Sequence, residues 1–320
     1  MKKNIVVITS AIILIIGLIA YKRSVQSSKK HDFTIGIIQT ASHPALDAAR
    51  KGFIAALTNK LGDRVDFIEQ NAQGSIDTLQ TIAHRMHSKQ SVSALYAIAT
   101  PALQALASVE HEKPIVFAAV SNPQALNLPD MRTIAGVTDM ISVEKQVSLI
   151  QALVPTAHTV ALMYNTGEVN SVHMIERMQA ALAKQGITAI KIGIHSETDI
   201  ATAVASACQK ADALLAPSDN MVASAITSIT AITQKYKKPL FVSDSLLVQE
   251  GALAAYGVNY FKCGEQAGEM MYEILLNQKS PAEFGATQPR DQYAVINKKV
   301  ADELGIEIPE SLQNDSTIVS

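Results

Sequence analysis

The chain has 320 residues, of which 48% are hydrophobic and 18% charged, and its formal net charge is −2. That length favours two domains over one, and the near-neutral charge excludes a nucleic-acid binder or a polybasic membrane-surface protein. The only cysteines, Cys208 and Cys263, sit in no C-x-x-C or His/Cys cluster, so they read as free buried thiols rather than metal ligands.

Lys2 and Lys3 precede an apolar run from Ile5 to Ala20, and Tyr21, Lys22 and Arg23 follow it, the layout of an export signal or a membrane anchor. As a helix the run is about 24 Å long, short of a hydrocarbon core of roughly 30 Å but extendable through Tyr21 and snorkelling lysines. No cysteine follows it, which argues against a lipid-anchored signal, and Leu18-Ile19-Ala20 is a poor cleavage site. The expectation is an uncleaved anchor through residues 5–21 and a Ser/Lys-rich tether to residue 32. The positive-inside rule sets no orientation, because Lys22, Arg23, Lys29 and Lys30 outnumber Lys2 and Lys3.

From Phe33 onward, short β-rich runs alternate with amphipathic helical runs, the pattern of parallel βαβ units. Residues 33–39 predict a first strand. A turn through Ser42, His43 and Pro44 leads to a helix whose Leu46, Ala49, Phe53, Ala56 and Leu57 share a face. Residues 65–68 predict a second strand, and Ser75 caps the helix after it, with Asp77 in the first turn to suit the dipole. The third unit, residues 93–106, is an apolar strand that breaks at Thr100-Pro101. Thr100 is expected to cap and Pro101 to take the first helical position, leaving a helix N-terminus that favours an anionic group. Residues 114–120 and 133–138 predict the fourth and fifth strands, the fourth ending in Ser121-Asn122-Pro123.

After Pro155 the series starts again, which points to a second domain of similar architecture. Strands are predicted over residues 159–164, 187–194, 213–216, 240–244 and 252–258. Between them lie helices opening at Ser171, at Asp199, beyond Asn220 and at Gly264, the first closed by Gly186. Residues 292–297 predict the last strand, and the polar tail after Pro309 is expected to fray.

Polar turns end six of these strands: Ser42-His43-Pro44, Thr100-Pro101, Ser121-Asn122-Pro123, residues 165–171, Ser218-Asp219-Asn220 and Ser243-Asp244. Any one resembles an ordinary βα loop. In two similar halves they would face each other across a cleft of amides, hydroxyls and carboxylates, which suits a small zwitterion. Helix N-termini would hold its carboxylate, and Asp244 or Asp219 its ammonium group. No G-x-S-x-G, P-loop or G-x-G-x-x-G is present, so acyl transfer and nucleotide chemistry lack their signatures and no cofactor is expected. His84 and His87, three apart on a helix, lack a third metal ligand and read as a solvated face, while His43 reads as a positioning group rather than a base.

The runs Ile35-Gly36-Ile37-Ile38-Gln39, His43-Pro44-Ala45-Leu46-Asp47-Ala48-Ala49-Arg50-Lys51-Gly52-Phe53, Gln70-Asn71-Ala72-Gln73-Gly74 and Ile98-Ala99-Thr100-Pro101-Ala102 resemble bacterial ABC-transporter substrate-binding proteins of the tryptophan/tyrosine-binding type. So do Tyr164-Asn165, Asn170-Ser171-Val172, Pro217-Ser218-Asp219-Asn220, Ser243-Asp244 and residues 251–257, in order over about residues 33–285. The resemblance implies an α/β fold of two Rossmann-like lobes with parallel sheets, joined by a hinge, as in periplasmic binding proteins of the first type. It implies lobe 1 over residues 33–140 plus about 254–285, lobe 2 over 141–253 plus about 286–310, and a tail from 311. It marks His43, Pro44, Thr100, Ser121, Asn122, Asn165, Asn170, Ser171, Asn220 and Asp244 as cleft-lining, to which the strand-end reading adds Pro101 and Ser218. The Ser121-Asn122-Pro123 turn departs from a Thr/Asp-type turn, and the lipoprotein cysteine common in the family is missing. With no Trp, stacking on an aromatic ligand would rest on Tyr164, Tyr256 or Phe117.

The resulting expectation is a non-enzymatic, monomeric capture protein of the bacterial cell envelope, without cofactor or metal. It would close by hinge motion on an amino acid-like solute, tryptophan or tyrosine favoured, and deliver it to an ABC permease driven by its ATPase. A ligand-sensing ectodomain of a signalling system would use the same cleft.

Overall fold

A computed structural model describes residues 31–320 apart from Asn127 and residues 129–131. The anchor and almost all of the tether expected over residues 1–32 lie outside the described residues. Among the described residues no helix is long and apolar enough to cross a membrane.

The first lobe is built on a six-stranded sheet in the order β11-β5-β4-β3-β1-β2. These strands are β1 (Phe33–Gln39), β2 (Val65–Asn71), β3 (Ala94–Ile98), β4 (Ile115–Val120), β5 (Ile134–Thr138) and β11 (Ala286–Thr287), and every neighbouring pair is parallel. Because crossover helices cover both faces, β3 and β4 are unbroken apolar runs and β5 is apolar up to Thr138, all three buried at every position, while the edge strand β2 carries exposed residues. The helices α1 (Pro44–Leu61), α2 (Ile76–Ser88) and α3 (Thr100–Ala107) connect the strands. Ser75 caps α2 as its sequence predicts, accepting from the Thr78 backbone amide.

The second lobe has a seven-stranded sheet in the order β13-β12-β10-β9-β8-β6-β7. Its strands are β6 (Thr159–Asn165), β7 (Thr188–Ile194), β8 (Ala213–Ala216), β9 (Leu240–Asp244), β10 (Ala254–Val258), β12 (Gln292–Asn297) and β13 (Ser316–Val319). This sheet is mixed rather than wholly parallel, since β10 and β12 run antiparallel. The helices around it are α4 (Val143–Leu153), α5 (Val169–Lys184), α6 (Ile200–Lys210), α7 (Asn220–Ser224) and α8 (Ile226–Lys235). Helix α5 ends with Gly186 at φ 72, the left-handed residue expected to close it. The rest of the chain forms α9 (Tyr260–Asn277), α10 (Pro281–Phe284), α11 (Lys298–Leu304) and α12 (Glu310–Asp315).

Strand membership shifts the expected lobe boundaries. β10 pairs with β9 and β12, so residues 254–258 belong to the second sheet, and the chain returns to the first lobe only at α9. β11 pairs with β5, so residues 286–287 stay in the first. The tail does not fray: residues 316–319 add β13 alongside β12. The chain therefore passes between lobes after β5, before α9 and between β11 and β12. Gln292 Nε2 donates to the Met140 carbonyl at 3.0 Å, which ties the first and third passages together.

Helix α9 packs on α1 with backbone touching backbone. A Cβ at Gly52 would lie 2.0 Å from the Phe261 carbonyl oxygen, and one at Gly264 2.0 Å from that of Ala49. This contact fixes the spacing of two helix N-termini, one preceded by His43 and the other opened by Tyr260.

Candidate functional site

A cavity with about 450 Å³ of space, part of it open to solvent, lies between the lobes, where the carboxyl ends of the strands meet. A wider chamber of about 970 Å³ lies beside it, and Asn220 borders both.

From the first lobe, His43 takes the N-cap position of α1 in extended conformation, with Pro44 as first helical residue. The turn before it is clasped by Gln39, whose Nε2 donates to the Ala41 carbonyl at 2.7 Å and to Asp47 Oδ1 at 2.8 Å. His43 is buried; its Nε2 meets Asn220 Oδ1 across the lobes at 3.3 Å, and its Nδ1 has no partner. Burial lowers its pKa, which keeps the imidazole neutral. Pro44 does not line the cavity, and Pro101 borders the wider chamber.

Thr100 does not cap α3. The N-cap is Ala99, held at φ 78, and Thr100 is already the first helical residue, with a buried hydroxyl that bonds nothing. Ala119, near the end of β4, also has a positive φ, 59, and lines the cavity. Left-handed non-glycine residues of this kind cost on the order of 1 kcal/mol each and gather where a site over-determines the backbone. Ser121 lines the cavity, whereas Asn122 lies outside it and its Nδ2 reaches His173 Nε2 on the second lobe at 2.9 Å.

From the second lobe come Asn170, Ser218, Asn220 and Asp244. Helix α5 starts at Val169 rather than Ser171, so Asn170 and Ser171 lie in its first turn. The buried Ser171 donates to the Ser218 carbonyl at 3.5 Å and does not line the cavity. Asn165 borders the wider chamber, and its backbone amide donates to Asp219 Oδ2 at 2.6 Å. With Oδ1 accepting from Val222, both Asp219 oxygens are occupied, so this carboxylate caps α7 and is not free for an ammonium group. Asp244 Oδ1 accepts from the Leu246 amide at 2.9 Å, but its Oδ2 is buried and unpaired. Burial, and secondly the charge of Asp139, push Asp244 up to about 7.

Three residues that the sequence reading passed over complete the site. Asp139, just beyond β5, is buried, accepts from the Tyr260 hydroxyl at 3.1 Å through Oδ2, and leaves Oδ1 unpaired. Burial raises its pKa too. Tyr260 lines the cavity with Asp139. Glu168, buried before α5, accepts from Asn220 Nδ2 at 2.6 Å and from Asn170 Nδ2 at 3.2 Å. Thr138-Asp139 repeats the hydroxyl–carboxylate strand end of Ser243-Asp244, a signal the sequence does carry.

The rings expected to stack on a ligand lie elsewhere. Phe117 is wholly buried in the core of the first lobe, and Tyr164 packs half-buried against the main core. Tyr256, within β10, borders a separate groove with the Lys145 ammonium 5.4 Å from its ring centre. Tyr260 and His43 are the rings at the cavity. His87 pairs with Glu110 at 3.0 Å, and Cys208 and Cys263 are free and buried.

The cavity thus offers two carboxylates with unpaired oxygens and no lysine or arginine. Such a lining is suited to a cationic group of a small solute. Residues 34–319 match the family described as ABC transporter substrate binding protein. The chain belongs to that family. This substrate-binding protein is 32% identical to the "Tyrosine-binding protein" of Clostridioides difficile over 85% of its own length and 81% of the relative's. It is also similar, at 32% identity, to a crystal structure of an ABC domain in complex with L-Trp from Streptococcus pneumonia, with a TM-score of 0.85 over 90% of this chain and 99% of that one. Against a ligand-free, open structure of a substrate binding protein with adhesive properties from Clostridium difficile, at 33% identity and coverage of 90% and 99%, the TM-score is 0.68. The lobes of this binding protein are thus disposed more as in the ligand complex than as in the open form, on the two-lobed fold of type I periplasmic binding proteins.

Proposed function

We propose that this substrate-binding protein captures an aromatic amino acid, tryptophan or tyrosine, outside the cytoplasmic membrane and hands it to an ABC permease powered by its ATPase. The observation that carries the reading is the pair Asp139 and Asp244, buried with one unpaired oxygen each in a cavity without basic side chains. A ligand ammonium supplies the charge that this pair lacks. Thr100 lines neither the cavity nor the wider chamber, whereas the N-terminus of α1, with His43 and Ala45 at the cavity, suits the ligand's carboxylate. Ala45, Leu46, Val222 and Leu247 supply apolar surface for its side chain, beside Tyr260 and His43.

The aromatic choice is supported by the tyrosine-binding relative and the L-Trp complex. The protein acts by capture and release without chemistry on its ligand, as a monomer held at the membrane through residues 5–21. Thermal unfolding of the purified protein with each amino acid tests this. Tryptophan or tyrosine at a hundredfold excess over the dissociation constant should stabilise it by about 2.7 kcal/mol. Stabilisation by non-aromatic amino acids alone would remove the aromatic assignment.

A further inference from the structure

The wall of the cavity formed around Glu168 has its hydrogen-bond polarity set by the fold. Glu168 Oε2 lies 2.6 Å from Asn220 Nδ2, 3.2 Å from Asn170 Nδ2 and 3.4 Å from the Asn220 backbone nitrogen. Burial, and secondly the Asp219 charge, raise Glu168 to about 7; in its ionised form, which these three contacts favour, this oxygen only accepts, and both side-chain amides present their NH₂ groups to it. Their carbonyl oxygens are thereby turned elsewhere. Asn220 Oδ1 meets His43 Nε2 at 3.3 Å, which makes Nε2 the protonated nitrogen of a neutral imidazole. Nδ1 is then a bare lone pair on a side chain only 8% exposed, and no protein group reaches it. Asn170 Oδ1, also buried at the cavity, has no partner either. The wall thus holds two acceptors and supplies no donor to either.

We infer that the site requires a ligand with a second N–H or O–H donor on its side chain, beyond the ammonium group. His43 Nδ1 is the specificity-determining acceptor, and Glu168 is the positioning residue that fixes it through Asn220. The inference rests on the cleft being an amino-acid site and narrows which amino acids it takes. An indole N–H or a phenolic O–H meets the requirement, and the phenyl ring of phenylalanine does not. Buried acceptors left unpaired by an analogue are what allow a site to reject it strongly.

Calorimetric titration of the full chain with L-tryptophan, L-tyrosine, L-phenylalanine and the benzothienyl analogue of tryptophan, in which sulfur replaces the indole N–H, tests it. Tryptophan or tyrosine should bind tighter than its donor-free counterpart by about tenfold or more. E168Q, whose amide can donate as well as accept, frees Asn220 to turn and should shrink that preference. Should E168Q fail to fold, ¹⁵N NMR of histidine-labelled wild type saturated with its tightest-binding amino acid reads the tautomer directly, with Nε2–H expected for His43. Equal or tighter binding of the donor-free analogues, preference for a ligand without a side-chain donor, an undiminished preference in folded E168Q, or an Nδ1–H His43 would each overturn the inference and leave amino-acid capture standing. Binding of no amino acid at all would overturn both.

Discussion

Asp139 and Asp244 each keep one buried carboxylate oxygen without a partner in the protein, which is what suits them to the proposed ligand ammonium. Burial and the neighbouring Asp139 charge push Asp244 up to about 7, above the value of roughly 3.9 for an aspartate in an unfolded chain. The folded state therefore holds that proton more tightly than the unfolded one. The stability it contributes is complete below about pH 4 and is lost as pH rises towards 7. A ligand ammonium needs the ionised form, so binding and empty-state stability respond to pH in opposite senses. Amino-acid affinity is expected to fall by up to about tenfold for each pH unit below 7. Isothermal titrations between about pH 5 and 8 would show it, and a flat profile would remove Asp244 from the ammonium role. Asp244→Asn should weaken binding by about 2–5 kcal/mol and raise the melting temperature of the ligand-free protein at alkaline pH. Asp244 was legible in the sequence because it ends a strong apolar strand before a turn. Asp139 carries the same strand-end signal in Thr138-Asp139 and was passed over all the same; Glu168 was not legible, because its importance depends on which amides turn towards a buried oxygen. The ring was misplaced for a related reason: Tyr256 sits inside β10, and the residue that opens the next helix, Tyr260, reaches the cavity instead.

Among the elements, the contact of α1 with α9 does most to set the site's dimensions. Gly52 and Gly264 let the two backbones touch, and a Cβ at Gly264 would meet the Ala49 carbonyl oxygen at 2.0 Å. Backbone cannot yield as a flexible side chain can, so Gly264→Val must part the helices. The expected cost is about 1–3 kcal/mol or more in thermal unfolding, with weaker ligand binding because His43 and Tyr260 move apart. A variant that keeps both its melting temperature and its affinity would show that this contact does not set the spacing. At α3 a cap and a ligand contact predict different outcomes. Thr100 caps nothing, its buried hydroxyl is unpaired and it lines neither the cavity nor the wider chamber, so the near-isosteric Thr100→Val should spare both stability and ligand binding. Loss of about 1 kcal/mol of stability would restore the capping role. The parallel units of the first lobe were legible because their apolar runs and helical faces are continuous. The left-handed Ala99 was not, since nothing in its side chain favours that conformation. β13 was equally hidden, as its four residues are a strand only because β12 lies beside them.

At the scale of the whole molecule, the lobes are disposed more as in the L-Trp complex than as in the ligand-free, open relative. Ligand exchange then has the lobes part about their three connecting passages. Among the described residues, His43 reaches Asn220 across the lobes at 3.3 Å and Asn122 reaches His173 at 2.9 Å. The first belongs to the cavity and cannot be removed without altering ligand recognition. The second lies outside the cavity, so it tests closure on its own. A hydrogen bond present only in the closed state contributes about 0.5–1.5 kcal/mol to it. Asn122→Ala should therefore raise the dissociation constant by about two- to tenfold, chiefly through faster release. The order of preference among ligands and the unfolding temperature of the ligand-free protein should stay as in wild type. Stopped-flow release rates and the ligand-induced fall in radius of gyration by small-angle scattering measure the two sides of that prediction. An unchanged release rate would mean that the latch does not form in the bound state, and closure would then be held by the cavity contacts and the ligand alone.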